Sequence, residues 1–224
     1  GLGHLPEAMA ERLGSCLNLN SPVRSLAPCD QGWRADLDSR SVVARSLVLA
    51  TPVSTASELL RTAVPAASDL LNLVDEQQLQ VVHLGFAQRS APAGFGFLVH
   101  PSAGGALLGC IYASALNSKA APSGACLMSC LVGPCEDPVA EARTGLAKAL
   151  DWHDEPALVE TANPAYNLPV YGAAQVDLEE RLEGVLKQHS GLALAGNYLS
   201  GIGVDQTLRC GRQAAHSLVT LNTQ

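Results

Sequence analysis

A short strand, three glycines and a helix start form the part of this chain best suited to chemistry. Leu192-Ala-Leu-Ala195 reads as a buried strand, Gly196, Gly201 and Gly203 follow, and a helix opens at Val204-Asp205. Glycines let a ligand approach the backbone closely, and the free N–H groups and dipole at a helix start place partial positive charge there. The segment suits an anion or cofactor, and it suits equally a glycine-rich corner that binds nothing. Gly211, inside the same helix, costs about 1 kcal/mol relative to alanine; close packing of the helix on a neighbour is the expected reason.

Other reactive residues make weaker patterns. The seven cysteines, at positions 16, 29, 110, 126, 130, 135 and 210, are an odd set in a chain large enough to fold without staples, which favours free thiols and a reducing compartment. Cys126, Cys130 and Cys135 fit no zinc-knuckle spacing, and His100 and His153 are not placed as a second ligand pair. Ser200-Gly201 is not a nucleophile elbow, because Tyr198 stands where a glycine is needed. The six histidines are scattered, and His83 and His216 read as core-edge or surface residues rather than bases.

The elements that must position the corner follow from periodicity. Leu5 to Leu13 is helical with Pro6 in its first turn, and Gly14 stops it. Val23–Leu26, a turn at Cys29–Gly32, Trp33–Leu37, Val42–Ala44 and Leu47–Ala50 read as a small meander of strands, ended by Thr51-Pro52. A helix through Ser57–Arg61 follows. Two-residue alternation at Leu79–Phe86, Ala106–Tyr112 and Cys126–Val132 predicts strands of one antiparallel sheet. Val139–Leu150 has helical spacing, Ala157–Glu160 reads as one more strand, and Val176–Leu186 is amphipathic with Leu178, Leu182 and Leu186 on one face. Ser118–Gly124 reads as a mobile loop.

Composition excludes several classes. The 224 residues are 47% hydrophobic and 16% charged, so the chain can bury a real core. A net charge of −7 with no basic cluster argues against nucleic-acid binding. No apolar stretch approaches the roughly 18 residues a membrane span needs. The opening Gly1-Leu-Gly-His-Leu-Pro6 has no signal-peptide character, and the chain reads as beginning in mid-protein.

The last motif, Leu194-Ala-Gly-Asn-Tyr-Leu-Ser-Gly-Ile-Gly-Val-Asp205 with Gly211-Arg-Gln-Ala-Ala215, resembles the C-terminal flavin segment of the protoporphyrinogen oxidases in the flavin-dependent amine oxidase superfamily. Gly3–Pro6, Ser21-Pro-Val23, Leu47–Pro52, Gly94–Val99, Leu108–Tyr112 and Leu131–Gly133 resemble family segments in the same order. The resemblance implies an α/β (α+β) fold: part of a glutathione-reductase-like FAD-binding domain at residues 1–75 and 190–224, with an antiparallel-sheet substrate domain inserted at 76–189. It implies FAD as cofactor, with Val23 at the adenine side through its backbone, Thr51 near the dinucleotide, and Asn197, Ile202, Gly203 and Val204 at the isoalloxazine and ribityl end. It also implies that Phe95, Leu98, Ile111 and Leu131 face a tetrapyrrole, for which an apolar slot makes chemical sense; alternate apolar residues on strands are equally what a plain core requires.

The implied activity is oxidation of a porphyrinogen to a porphyrin in haem or chlorophyll biosynthesis, with hydride passing to flavin and electrons then to molecular oxygen. The implied setting is cytoplasmic or peripheral to a membrane, mitochondrial or plastid in a eukaryote, as a homodimer or with a missing N-terminal half. Two departures matter. Gly1-Leu-Gly3 lacks the strand and third glycine of a dinucleotide-binding turn, and the family's isoleucine-proline-glutamine-tyrosine stretch is half visible as either Asn163–Tyr166 or Leu168–Gly172. A non-catalytic binding or remnant domain stays open as an alternative. So does a flavin amine oxidase, although the last motif lacks that group's acidic residue and Cys210 sits a helical turn too far on for a flavin link.

Overall fold

The computed structural model describes residues 3–164 and 166–221, so the readings that involve Gly1, Leu2 and Ala165 lie outside the described residues. The chain divides into two compact units, one made of Gly1–Asp75 and Tyr171–Gln224, the other of Glu76–Val170.

The first unit begins with α1 (His4–Leu13), ended by Gly14 at φ +50°. Its apolar residues Leu5, Met9 and Leu13 are exposed. Strands β1 (Val23–Cys29), β2 (Gly32–Leu37) and β3 (Ser41–Ala44) form an antiparallel meander. Gly32, at φ +121°, is required at the first turn: a Cβ there would lie 2.4 Å from the Ala44 carbonyl oxygen. The predicted fourth strand, β4 (Leu47–Leu49), leaves the meander, which corrects the expectation of one continuous sheet. The Arg45–Ser46 step carries the chain away to pair in parallel elsewhere. Helix α2 (Val53–Ala63) buries Val53, Ala56, Leu59 and Leu60, and a second helix not foreseen, α3 (Pro65–Leu71), starts directly at Pro65. Proline suits a first helical turn. Ser57 and Ser68 are buried and satisfied by one another: their hydroxyls lie 3.0 Å apart and Ser68 Oγ donates to the Ser57 carbonyl at 2.9 Å.

The second unit is built on a five-stranded antiparallel sheet. Its elements are β5 (Glu76–Gln77), β6 (Gln80–Phe86), β7 (Gly96–Leu98), β8 (Leu107–Ile111), α4 (Ala113–Leu116), β9 (Cys126–Val132), α5 (Pro138–Leu150), β10 (Leu158–Ala162) and β11 (Leu168–Pro169). The sheet order is β10-β6-β9-β8-β7, and β11 pairs with β5. Strict alternation puts Val82, Leu84, Phe86, Cys126, Met128, Cys130 and Val132 on one face, packed with Ala142 and Leu146 of α5 in one apolar core. Asp137 caps α5 by accepting from the Val139 and Ala140 N–H groups at 3.1 and 2.9 Å. Gly145 admits Leu107, whose Cδ2 would lie 2.1 Å from an added Cβ. The seven cysteines are free, and no metal-binding cluster occurs among the described residues. Cys126 and Cys130 are core residues: burial pushes the Cys126 thiol up in pKa, and the hydrogen bond with Cys110, followed by burial, pushes up the Cys130 thiol.

The chain returns to the first unit with α6 (Leu178–Leu186), β12 (Leu192–Leu194) and α7 (Val204–Leu221). Strand β12 lies parallel to β4, pairing Leu192 with Leu47 and Leu194 with Leu49. All three residues of β12 are buried. Leu178 and Leu182 join the core of Trp33, Leu49, Leu60, Leu71 and Tyr198, while Cys210, Ala214 and Leu218 of α7 pack with Ala193 and Ala195. Gly211 corrects the expectation of close packing, because an added Cβ would meet nothing within 4 Å. No described helix is long and apolar enough to cross a membrane.

Candidate cofactor corner and apolar sheet face

In the first unit, β4 and β12 run in register and their ends leave the sheet side by side, the Ala195 N–H still donating to the Leu49 carbonyl at 3.0 Å. Thr51 follows β4, and its hydroxyl is buried without a hydrogen-bond partner. A buried, unpartnered hydroxyl calls for an explanation. Beyond β12 the chain turns through Gly196–Gly203 into α7. The Asn197 carbonyl accepts from the Tyr171 hydroxyl at 2.7 Å, and the Tyr198 carbonyl accepts from Gln175 Nε2 at 3.0 Å. With these carbonyls held, the strand-to-helix loop is fixed from outside. Ile202 and Val204 are each 49% exposed at the helix start.

The three glycines do not leave the backbone bare. The Tyr198 ring, fully buried, occupies the space beside Gly196, where a Cβ would lie 2.2 Å from Cε1. Its hydroxyl has no partner, and burial raises its pKa. Gly201, at φ +128°, and Gly203 are both overlaid by the Gln206 carboxamide, and the Gly203 N–H donates to Gln206 Oε1 at 3.1 Å. Gly203 is thus the residue before the helix, capped by the glutamine three positions later. Of the two readings the glycine spacing leaves open, a cradle for an anion or cofactor is the one this narrows, because one of the amides an anion would use is already satisfied internally.

Thr51, Asn197, Ile202, Gly203 and Val204 therefore belong to one corner. Val23 does not share its sheet; it heads β1, opposite Leu37, and is 38% exposed. The sequence points to neither Gln175 nor Gln206, and to Tyr171 only as part of the Leu168–Gly172 alternative. Gln206 had a local signal in the Gly-x-x-Gln spacing before a helix, whereas Tyr171 and Gln175 act across 26 and 23 residues, which no local pattern reveals.

In the second unit, the sheet face opposite α5 gathers the predicted tetrapyrrole residues. Register places Leu98 opposite Gly109 and Gly109 opposite Leu131, and puts Ile111 opposite Ser129 and Gly96. Side chains that alternate away from Phe97, Cys110 and Cys130 share this face. Leu98 is 90% exposed, whereas Ile111 and Leu131 are half-buried. Phe95 precedes β7, its carbonyl accepting from the Tyr112 N–H at 3.0 Å, and is 67% exposed. Gly109 keeps the row low; a Cβ there would press on the Phe97 carbonyl oxygen at 2.7 Å.

With both sites described, comparison with known proteins decides the family. The family model for flavin containing amine oxidoreductases matches residues 1–219. The chain belongs to the flavin-containing amine oxidoreductase family. Its members are oxidoreductases, and FAD is the cofactor that membership brings. Among its relatives, the chloroplastic protoporphyrinogen oxidase 1 of Spinacia oleracea is 26% identical over all of this chain and 45% of that protein. The protoporphyrinogen oxidase of Bos taurus is 27% identical over 96% of this chain and 50% of that one. A crystal structure from Exiguobacterium sp. 255-15, provisionally named a protoporphyrinogen oxidase, superposes with a TM-score of 0.77 at 22% identity, covering 95% of this chain and 50% of that one. Cyclohexylamine oxidase from Brevibacterium oxydans IH-35A superposes with a TM-score of 0.70 at 14% identity, covering all of this chain and 53% of that one. These likenesses give a mixed α/β fold of the flavin amine oxidase type. The chain spans about half the length of the curated relatives it matches.

The corner fits a flavin in its orphaned Thr51 hydroxyl and its exposed apolar pair at a helix start. Thr51, Ile202 and Val204 are the residues of this corner that would hold such a group, and the α7 start would favour negative charge on it.

Proposed function

We propose that this chain is part of a porphyrinogen oxidase that converts a porphyrinogen to a porphyrin in haem or chlorophyll biosynthesis, with oxygen as final acceptor. The reading makes the first unit, Gly1–Asp75 with Tyr171–Gln224, a glutathione-reductase-like FAD-binding domain and the second, Glu76–Val170, an inserted substrate domain; the boundary expected at residue 189 moves to 170 because Leu178 and Leu182 of α6 pack in the first unit's core. The flavin supplies hydride acceptance. The residues of this chain bind and orient: Thr51, Asn197, Ile202, Gly203 and Val204 hold the flavin, with Val23 at the adenine side, and Phe95, Leu98, Ile111 and Leu131 carry the flat macrocycle and keep water from it. The reading sets the protein in the cytoplasm or at a membrane surface, within a mitochondrion or plastid in a eukaryote.

The observation that carries this reading is the convergence of Leu98, Ile111 and Leu131 on one face of the five-stranded sheet, in a chain whose curated relatives are named for this oxidation. A broad apolar face with a glycine at its centre suits a planar ring better than a small amine. The test is an aerobic assay of the full-length protein that carries this chain, with chemically reduced porphyrinogen. Porphyrin fluorescence should rise faster than autoxidation, and an unchanged rate together with oxidation of a primary amine would overturn the assignment.

A further inference from the structure

The apolar face of the second unit has a polar edge that the reading above leaves unused. His83 of β6 stands opposite Ser129 of β9, which stands opposite Ile111 of β8, and on the other side His83 is opposite Glu160 of β10. The alternation that turns Val82 and Leu84 into the core turns His83 to the face that carries Ile111 and Leu131. His83 Nδ1 and Ser129 Oγ are 2.9 Å apart, so one ring nitrogen is fixed by the neighbouring strand. The imidazole is half-buried, and among the described residues Nε2 has no partner.

Spacing sets what this pair can reach. Strands lie about 4.8 Å apart, so His83 is roughly 10 Å from Ile111 across two strand steps and roughly 15 Å from the β7 edge. A tetrapyrrole ring resting on Leu98, Ile111 and Leu131 would bring its periphery, not its centre, to His83. Porphyrinogens carry their carboxylates on that periphery, and an imidazolium beside a hydroxyl is a matched donor pair for a carboxylate.

We propose that His83 and Ser129 receive a peripheral carboxylate of the macrocycle and thereby fix its rotation on the sheet. This rests on the reading of the face as the tetrapyrrole site. Glu160 is the charged group that register brings beside the imidazole; β9 contributes only the Ser129 hydroxyl there, and β6 itself presents Val81 and Gly85. Glu160 opposes the incoming carboxylate, so it limits affinity. A bound carboxylate favours the protonated imidazole, so the extra affinity is larger in mildly acid than in alkaline solution.

The experiment titrates the full-length protein that carries this chain with mesoporphyrin and, separately, with its dimethyl ester, by porphyrin fluorescence at about pH 5.5 and about pH 8, either side of the usual value for an imidazole. The diacid should bind about tenfold tighter at the lower pH, the size of one charge-assisted hydrogen bond, and the ester equally at both. His83→Gln should abolish the pH difference and leave ester binding unchanged, and Glu160→Gln should tighten the diacid. Persistence of the pH difference in His83→Gln, or equal weakening of diacid and ester, overturns the carboxylate role. Leu131→Glu should abolish binding of both probes. If Leu131→Glu binds like the parent, or the parent binds neither probe, the tetrapyrrole reading of the face itself fails.

Discussion

Removing the Gln206 side chain should weaken the fold and strengthen the flavin site at once. Gln206 Oε1 accepts from the Gly203 N–H at 3.1 Å, and the carboxamide lies 2.5 Å from where a Cβ of Gly201 would stand. This is an exposed helix start, where a cap contributes about 1 kcal/mol. For a chain of 224 residues that loss lowers Tm by roughly 2–4 °C. The freed amide and the space above the two glycines become available to a ligand. A flavin that takes the same N–H no longer competes with an internal acceptor, and about 1 kcal/mol returned in this way tightens binding roughly fivefold. Differential scanning calorimetry and flavin fluorescence titration of Gln206→Ala read the two quantities separately. A fall in both stability and flavin affinity would refute the reasoning, because the glutamine would then support the ligand rather than stand in its place.

Other substitutions probe the same framework. Tyr171→Phe keeps the ring and removes the donor to Asn197, so flavin affinity should drop several-fold while stability in urea titration falls by no more than the roughly 1 kcal/mol of one hydrogen bond; unchanged affinity would show the clamp to be irrelevant to the corner. Gly145→Ala should destabilise by about 1–3 kcal/mol in urea titration, because its Cβ would collide with Leu107. Gly211→Ala should instead stabilise by up to about 1 kcal/mol, since its Cβ meets open space. Asp137→Ala should cost about 1 kcal/mol by removing the acceptor for two α5 amides.

Much of this fold is legible in the sequence where local rules act alone. The alternation of Cys126–Val132 gives the strand and its two faces, and Pro138 with Asp137 before it marks the α5 start. Legibility stops where distant segments decide. Leu47–Leu49 reads as the next strand of a meander, yet its partner is β12, more than a hundred residues later, and nothing in its own composition separates the two pairings. The α3 helix is hidden because it begins directly after Val64, with no loop to announce it. At the corner, the glycine positions are readable, but their occupants are not: whether the space above Gly196 and Gly203 is open depends on where the Tyr198 ring and the Gln206 carboxamide turn. Gly211 misleads for the opposite reason, since an interior helical glycine suggests a close neighbour and an added Cβ here meets nothing within 4 Å.

Amide hydrogen exchange of the full-length protein, recorded with FAD alone and then with a porphyrin added, tests the account most directly. FAD should protect the segment from Asn197 to Val204, and the porphyrin should add protection across Ser129–Leu131 and Gly109–Ile111. Unchanged exchange at both segments, with protection confined to other parts of the protein, would contradict it.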